Sequence, residues 1–314
     1  MSGTLDPRVL DRACHADLYM HDLDPTNHRS AAARWPLLAR FIEREAQLGD
    51  WASRKRGTSH LYEFLRFGVK QAWACLFGGV MIALLVATHL WYPRDAALPR
   101  YDFLVFAALA LQVILIATRL ETIEEAKVIF LFHVVGTIME IFKTAVGSWV
   151  YPEASYIRLG GVPLFTGFMY AAVGSYIARS WRLFDYRFTH HPPVWTLLTL
   201  AAAIYANFFT NYWGYDFRWP IFAVAVLMMW RSEILYKPWR VYRAMPMLVA
   251  CGLAAFFIWI AENVGTYTNA WLYPHQAKGW SPVSFGKFTS WYLLLIISYA
   301  LVAFLQTPRA PEKP

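Results

Sequence analysis

The chain has 314 residues, of which 58% are hydrophobic, 18% aromatic and only 16% charged, and its formal net charge is +8. A soluble domain carries about 25% charged residues, so this composition excludes an ordinary soluble domain and is typical of a helical membrane protein. Three cysteines, Cys14, Cys75 and Cys251, lie far apart in the sequence, which excludes a disulfide framework and a cysteine zinc site.

The first residues contain no apolar core of a signal peptide and no small-residue cleavage site, so we expect insertion to depend on the first internal helix. We predict a cytoplasmic N-terminal segment over 1–62, a membrane domain over 63–306 and a cytoplasmic tail over 307–314. Within the first segment, apolar residues from Trp35 to Ala46 recur at helical intervals. That helix would lie on the membrane surface or pack, solvated, on the cytoplasmic loops.

Eight apolar windows predict an all-α, polytopic protein with about eight transmembrane helices. The sixth window is the weakest, because only twelve uncharged residues precede Arg231. The windows are Ala72–Trp91, Phe103–Thr118, Val128–Val150, Val162–Ala178, Val194–Thr210, Trp219–Tyr236, Met247–Ala270 and Phe288–Leu305.

The basic residues predict the direction of insertion. With eight spans, 22 of the 29 Lys and Arg residues fall on the side of the N-terminus, six fall on the other side, and Lys143 lies within a span. The positive-inside rule therefore predicts an inner (cytoplasmic) membrane protein with both termini in the cytoplasm. Since topology accounts for the positive charge, we expect no nucleic-acid partner.

A sequence frame occurs twice in the apolar region. "MEIFKTAVGSWVYP" begins at Met139 and "AENVGTYTNAWLYP" begins at Ala261, and each holds a Glu, a Thr four residues later and then Trp-x-Tyr-Pro. The two frames lie four predicted helices apart. They therefore predict two four-helix halves, over about 70–180 and 193–305, related by an axis along the membrane normal.

The repeated acids, Glu140 and Glu262, are the strongest candidates for function. Each lies nine residues before a Trp of the expected interfacial belt, so its depth is roughly 13 Å at 1.5 Å per helical residue. That depth is near the midplane of a core about 30 Å thick, where an acid should face the bundle interior. His133 and Lys143 share the polar stripe of Glu140, and Lys143 is one turn away, where it could pair with that acid.

We therefore predict Glu140, Glu262, His133 and Lys143 as catalytic candidates. The substrate-binding candidates are the polar and aromatic residues near the two acids: Thr144, Thr266, Trp149, Trp271, Tyr151, Tyr273, Asn263, Trp259 and Tyr267. Structural interpretations stay open for each group. Glu140 and Lys143 would then form a satisfied pair, Trp-x-Tyr-Pro would be an aromatic belt with a helix stop, and His133 would be a packed core residue.

The motifs of several enzyme classes are missing. No HxxxH or HExxH pattern, glycine-rich phosphate loop or serine nucleophile elbow occurs in the sequence. We predict no metal and no cofactor. The expected partners are the lipid bilayer and a lipid or other small apolar ligand, and no protein partner is indicated.

The chain resembles an uncharacterised family of bacterial multi-pass membrane proteins, the one catalogued as domain of unknown function 817. "LETIEEAKVIFLFHVVGTIMEIFKTAVGSWVYPE", "GVPLFTGFMYA", "FFIWIAENVGTYTNAWLYP" and "GKFTSWYLLL" carry the resemblance, which covers about Tyr62 to Leu305. It implies a membrane architecture and implies nothing about a substrate. Over a shorter stretch, the acid before Gly-x-Trp-x-Tyr is similar to membrane lycopene cyclases and carotenoid hydratases.

Three functions stay open from the sequence. The first, which we favour, is binding or acid-catalysed modification of an apolar lipid or isoprenoid-like substrate. The second is a proton- or cation-coupled carrier of a small solute, with the two halves moving about a midplane site. The third is a structural or partner-binding membrane protein.

Overall fold

The computed structural model describes residues 39–52, 54 and 56–311, so Trp35 and most of the predicted N-terminal segment lie outside the described residues. The described part is mainly helical. Its α-helices are α1 Ala39–Ala52, α2 Arg56–Ala74, α3 Leu76–Trp91, α4 Arg100–Ala117, α5 Ile123–Ala145, α6 Phe165–Leu183, α7 Val194–Thr210, α8 Arg218–Met229, α9 Met247–Tyr267 and α10 Gly286–Leu305.

Two small antiparallel sheets connect the helices. The strands are β1 Arg158–Leu159, β2 Val162–Pro163, β3 Arg187–Thr189, β4 Glu233–Tyr236 and β5 Arg243–Pro246. Gly160 and Gly161, both with positive φ, form the two-residue turn between β1 and β2, a turn that favours glycine. In the second sheet β4 lies between β3 and β5, so it links the end of α6 to the connection between α8 and α9.

Several helices have the length and composition of membrane spans. Among the described residues, α4, α5, α7 with its following turn, α9 and α10 are long and apolar enough to cross a membrane. A sixth span results if α2 and α3 count together, since a bend of 68° separates them near Cys75. The predicted class is confirmed: these helices are those of a helical membrane protein.

The sixth predicted helix is wrong in its second half. Residues 233–236 form β4, which hydrogen-bonds to a strand on each side, and the helix ends at Met229. A short apolar run such as "EILY" fits either a helix or a strand, so its hydropathy did not distinguish them. The fourth helix also begins later than predicted, at Phe165, because Val162 belongs to β2.

Glycines bring α5 and α6 close together. A methyl group at Gly136 would lie 2.7 Å from the side chain of Tyr170, and one at Gly174 would lie 2.6 Å from the ring of Phe132. Small residues of this kind let membrane helices approach closely. The main apolar core joins α5 and α6 to α7, α9 and α10. On α5, Gly136 lies one helical turn before Glu140.

The two Trp-x-Tyr-Pro segments lie side by side. Val150 and Leu272, which occupy the same position in their frames, form an antiparallel bridge. The amide of each residue donates to the carbonyl of the other at 2.9 Å. The segments after α5 and α9 are therefore joined directly by backbone hydrogen bonds.

Candidate functional site

Glu140 lies on α5 and is only 3% exposed. Its carboxyl oxygens accept hydrogen bonds from three side chains. The indole Nε1 of Trp149 donates to Oε2 at 2.7 Å, the hydroxyl of Tyr170 donates to Oε1 at 2.5 Å, and the hydroxyl of Tyr151 also donates to Oε2. A buried carboxyl with this many donors is held in one position.

The local fold explains how Glu140 meets residues that follow it in the chain. α5 ends at Ala145, and Gly147 adopts a φ of +73°, which reverses the chain. The amide of Ser148 then donates to the carbonyl of Lys143 at 2.9 Å, as in helix ends closed by a glycine. Trp149 and Tyr151 consequently fold back against the acid on their own helix.

Glu262 on α9 has a similar setting and is also 3% exposed. The hydroxyl of Tyr273 and the indole Nε1 of Trp291 donate to its two oxygens. Asn269, at the position that corresponds to Gly147, has a φ of +56°. The amide of Ala270 donates to the carbonyl of Gly265 at 3.0 Å, so this chain reversal has the same hydrogen-bond pattern.

The two tryptophans of the frames have different contacts. Trp149 donates to Glu140, whereas the donors to Glu262 are Tyr273 and Trp291. Trp271 packs on Gly265, where a methyl group would lie 2.2 Å from its ring. The two acids therefore have unequal sets of donors, three for Glu140 and two for Glu262.

The donors to the two acids contact each other. The ring of Trp149 meets that of Tyr273 edge-on, with centroids 6.0 Å apart. The rings of Tyr170 and Trp291 lie 6.4 Å apart between centroids. One aromatic cluster thus links the surroundings of Glu140 to those of Glu262.

Both acids line one cavity of about 1340 Å³. Ligand pockets commonly measure roughly 300 to 1,000 Å³, so this space exceeds that of a typical small-molecule site. Most of the lining is apolar, and the helices that contribute most residues to it are α2, α6, α9 and α10. The predicted site residues that line it are Glu140, Lys143, Trp149, Tyr151, Glu262, Trp271 and Tyr273.

Two lysines also line the cavity. Lys143 is 6% exposed, and its ammonium donates to Oδ1 of Asn211 at 2.9 Å. The local pair that Lys143 could have formed with Glu140 is not made, because the side chains of Trp149, Tyr151 and Tyr170 donate to the Glu140 carboxyl instead. Lys287, at the start of α10, places its ammonium 4.3 Å from the ring centre of Tyr273.

The remaining predicted residues lie outside the cavity lining. His133 packs against the ring of Phe168, with centroids 4.4 Å apart. Thr144 lies one turn beyond Glu140 on α5. Tyr267 is largely exposed and contacts Trp280 edge-on. These three residues do not join the two acids.

The polar residues beside Glu262 instead hold α9 to the connection before α10. Asn263 accepts a hydrogen bond from the amide of Val283 at 2.9 Å and donates to the carbonyl of Trp259 at 2.8 Å. Thr266 accepts a hydrogen bond from the indole of Trp280 at 3.2 Å. Asn263 and Thr266 therefore support the position of Glu262 from outside the cavity.

Sequence reasoning missed Tyr170, Trp291 and Lys287 as site residues. Tyr170 and Trp291 lie on the helices that follow the frames, about thirty residues after their acids. Lys287 lies one residue before the predicted window Phe288–Leu305 but belongs to α10. The only local signal was their presence in the quoted stretches "GVPLFTGFMYA" and "GKFTSWYLLL".

Tyr151 and Tyr273, which follow α5 and α9, donate hydrogen bonds to the two acids. Burial, together with the adjacent carboxyl of Glu140, raises the pKa of Tyr151 well above its ordinary value, and burial beside Glu262 does the same to the pKa of Tyr273. Both phenols therefore keep their protons. In the described part of the chain, no group of three or more His, Cys, Asp or Glu side chains is arranged to hold a metal ion.

The long apolar helices around this cavity define the class of this chain as a helical membrane protein. Its residues 63–299 match the family described as "Protein of unknown function (DUF817)", and the chain belongs to that family. It is similar to "Uncharacterized protein YoaT" of Bacillus subtilis (strain 168), with 41% identity over 244 residues, which are 78% of this chain and 92% of that protein. No solved structure matches the chain.

Proposed function

We propose that this protein binds an elongated, mainly apolar molecule, such as a lipid or an isoprenoid-like compound, in its central cavity. One observation carries the proposal: two almost fully buried carboxyls, Glu140 and Glu262, line a large and otherwise mainly apolar space. A buried acid in a membrane protein is costly unless it has a function or a full set of partners. The polar group or reacting centre of the ligand would lie beside these acids.

In this proposal, eight segments enter the membrane as two four-helix halves. The matched chain reversals at Gly147 and Asn269 support the internal repeat, as does the pairing of Val150 with Leu272. The eight segments are α3 to α10, and α8 with its 12 residues crosses only part of the membrane. Because α5 and α9 each end five residues after their acid, Glu140 and Glu262 would lie roughly 8 Å from the ends of these helices rather than at the expected midplane depth.

The catalytic form of the proposal assigns different roles to the two acids. Glu140 accepts three hydrogen bonds, one more than Glu262, so it acts as the fixed acceptor. Glu262 accepts two and is the better proton donor to a double bond or an ether oxygen of the substrate.

The second candidate is a proton- or cation-coupled carrier, and one observation favours it. The cavity lining includes Arg218, at the start of α8, and Tyr236, beyond its end. The space therefore extends past both ends of α8, which a carrier that opens toward either face of the membrane would need. Glu140 and Glu262 would then carry the proton or cation.

Mass spectrometry of molecules that co-purify in a mild detergent tests the proposal. We expect the wild type to retain a defined apolar molecule and the double variant Glu140→Gln, Glu262→Gln to lose it. Glu124→Gln is the matched control, because Glu124 lies on the same helix as Glu140 with its side chain 72% exposed.

Equal retention by the wild type and the double variant would overturn the ligand-binding proposal. Proton-coupled solute uptake into liposomes that depends on both acids, without any retained apolar molecule, would establish the carrier instead.

A further inference from the structure

Three cationic side chains line the same cavity as the two acids: Lys143 on α5, Arg218 at the start of α8 and Lys287 at the start of α10. The charges of Lys287 and Arg218 repel that of Lys143, whereas the charge of Asp216, which also lines the cavity, attracts it. The sequence places these residues far apart, so only the fold assembles them. This cationic cluster is defined here as Lys143, Arg218 and Lys287.

The acids nearby do not neutralise the cluster by direct contact. Arg218 pairs with Asp216 at 3.2 Å, but within the described part of the chain neither lysine has a carboxylate at ion-pair distance. Glu140 and Glu262 are bonded to Tyr and Trp side chains instead. Two lysine charges therefore face the cavity without an ion-pair partner.

Burial makes this arrangement costly for Lys143. A buried charge needs a partner and hydrogen bonds for each donor, and a lysine ammonium has three N–H groups. Lys143 is 6% exposed, and Asn211 accepts one of its N–H groups. Lys287 lies over the ring faces of Tyr273 at 4.3 Å and Trp149 at 5.5 Å, which stabilise its charge without accepting its hydrogen bonds.

We propose that the cationic cluster binds an anionic group, a phosphate or carboxylate, at one end of an amphiphilic ligand whose chain occupies the apolar remainder of the cavity. This inference rests on the proposed binding of an elongated apolar molecule and names its head group. An anion between Lys143 and Lys287 offsets their repulsion and accepts their remaining N–H groups. Ser148 and Ser290 line the same cavity and supply neutral donors.

The lining of the cavity suits such a ligand. Beyond the cluster, the lining includes Phe64 on α2, Ile82 on α3, and Leu253 and Phe257 on α9. These side chains offer apolar contacts and no charge to the hydrocarbon chain of the ligand. The cavity thus combines a charged end with an apolar remainder.

Direct binding to the purified wild-type protein, in nanodiscs of neutral phosphatidylcholine, tests the inference. The probe is radiolabelled dodecyl phosphate, and the competitors are unlabelled dodecyl phosphate, dodecanol and inorganic phosphate. We expect dodecyl phosphate to compete much more strongly than dodecanol. Competition by inorganic phosphate at similar concentrations would support the anion site and identify a free anion as its source, whereas weak competition by inorganic phosphate would identify a lipid head group.

Variants locate the site. We expect Lys143→Gln and Lys287→Gln each to weaken dodecyl phosphate binding by about tenfold or more, because each removes a hydrogen bond to a charged group. Lys287→Arg keeps the charge and should restore most of the binding. Lys127→Gln is the matched control, since Lys127 also lies on α5 but its side chain is 64% exposed.

Two results would overturn the anion site. One is equal competition by dodecyl phosphate and dodecanol in the wild type, which needs no variant to fold. The other is unchanged binding in both lysine-to-glutamine variants. In either case, an apolar molecule that is still lost from the Glu140→Gln, Glu262→Gln variant would leave the proposed function standing.

Discussion

Glu140 and Glu262 are buried acids whose hydrogen-bond partners are tyrosines and tryptophans rather than arginines or lysines. A salt bridge would have neutralised each acid with a fixed positive charge. Neutral donors hold the carboxyl in place and leave its charge available to a ligand or a proton. The cations that share the cavity, Lys143 and Lys287, are correspondingly free of direct ion pairs with these acids.

The donors to the acids should contribute to stability. We expect Tyr170→Phe to lower the free energy of unfolding by about 1 to 3 kcal/mol, because it leaves a buried carboxyl oxygen without a donor. Thermal unfolding of the purified protein in detergent measures the change. Tyr156→Phe, at a side chain 81% exposed, is the control and should have little effect. Equal unfolding temperatures for Tyr170→Phe and the wild type would contradict this role.

At the scale of elements, the contact between α5 and α6 determines the geometry around Glu140. Tyr170 on α6 reaches Glu140 on α5 only because Gly136 leaves room for its ring. The glycine lies four residues before the acid, so both face α6. The site thus depends on a backbone approach one turn away from the carboxyl.

Gly136→Ala should disturb this approach. The new methyl group would lie 2.7 Å from Cβ and Cγ of Tyr170, so the ring has to move away from Glu140. We expect a loss of about 1 to 3 kcal/mol in stability, typical of an overpacked interface. The unfolding temperature and the amount of retained ligand should fall together. Gly57→Ala on α2 is the control, since its methyl group would meet nothing within 4 Å and Gly57 does not line the cavity. If Gly136→Ala behaved like Gly57→Ala, the close contact would not control the site.

Hydropathy and spacing predicted most of the long helices, because apolar runs of about twenty residues have few alternatives to a membrane helix. They failed where the chain is short or bent. The strand at Glu233–Tyr236 depends on partners from distant segments, and the bend near Cys75 interrupts a run that is apolar on both sides. Neither feature leaves a periodic signal in the sequence.

The candidate site was predictable only where the two frames repeat. Glu140, Tyr151, Glu262 and Tyr273 come from those frames and line the cavity, although their function stays a prediction. Tyr170, Trp291 and Lys287 come from other helices, and their distance from the acids is set by helix packing. A single sequence carries no information on such contacts.

At the scale of the molecule, the basic residues predict how the chain lies in the membrane. Lys237, Arg240 and Arg243 are at the end of the molecule that we expect in the cytoplasm, and Gly214 is in the turn after α7 at the other end. The positive-inside rule accounts for this arrangement. The cationic cluster would then lie toward the outer face.

Reporter fusions test this orientation. We expect alkaline phosphatase to be active when fused after Gly214 and inactive when fused after Arg309, because the enzyme folds only outside the cytoplasm. Green fluorescent protein at the second position should fluoresce. The opposite pattern would reverse the topology and place the cationic cluster on the cytoplasmic side.

The bridge between Val150 and Leu272 has a mechanical consequence. It ties the segment that supplies Trp149 and Tyr151 to the one that supplies Tyr273, so the surroundings of one acid cannot be displaced without pulling on those of the other. Any rocking motion that separates α5 from α9 at this end must first break both backbone hydrogen bonds, each of which contributes about 1 kcal/mol. This backbone pairing couples the two acid sites and favours larger movements at the opposite end of the bundle.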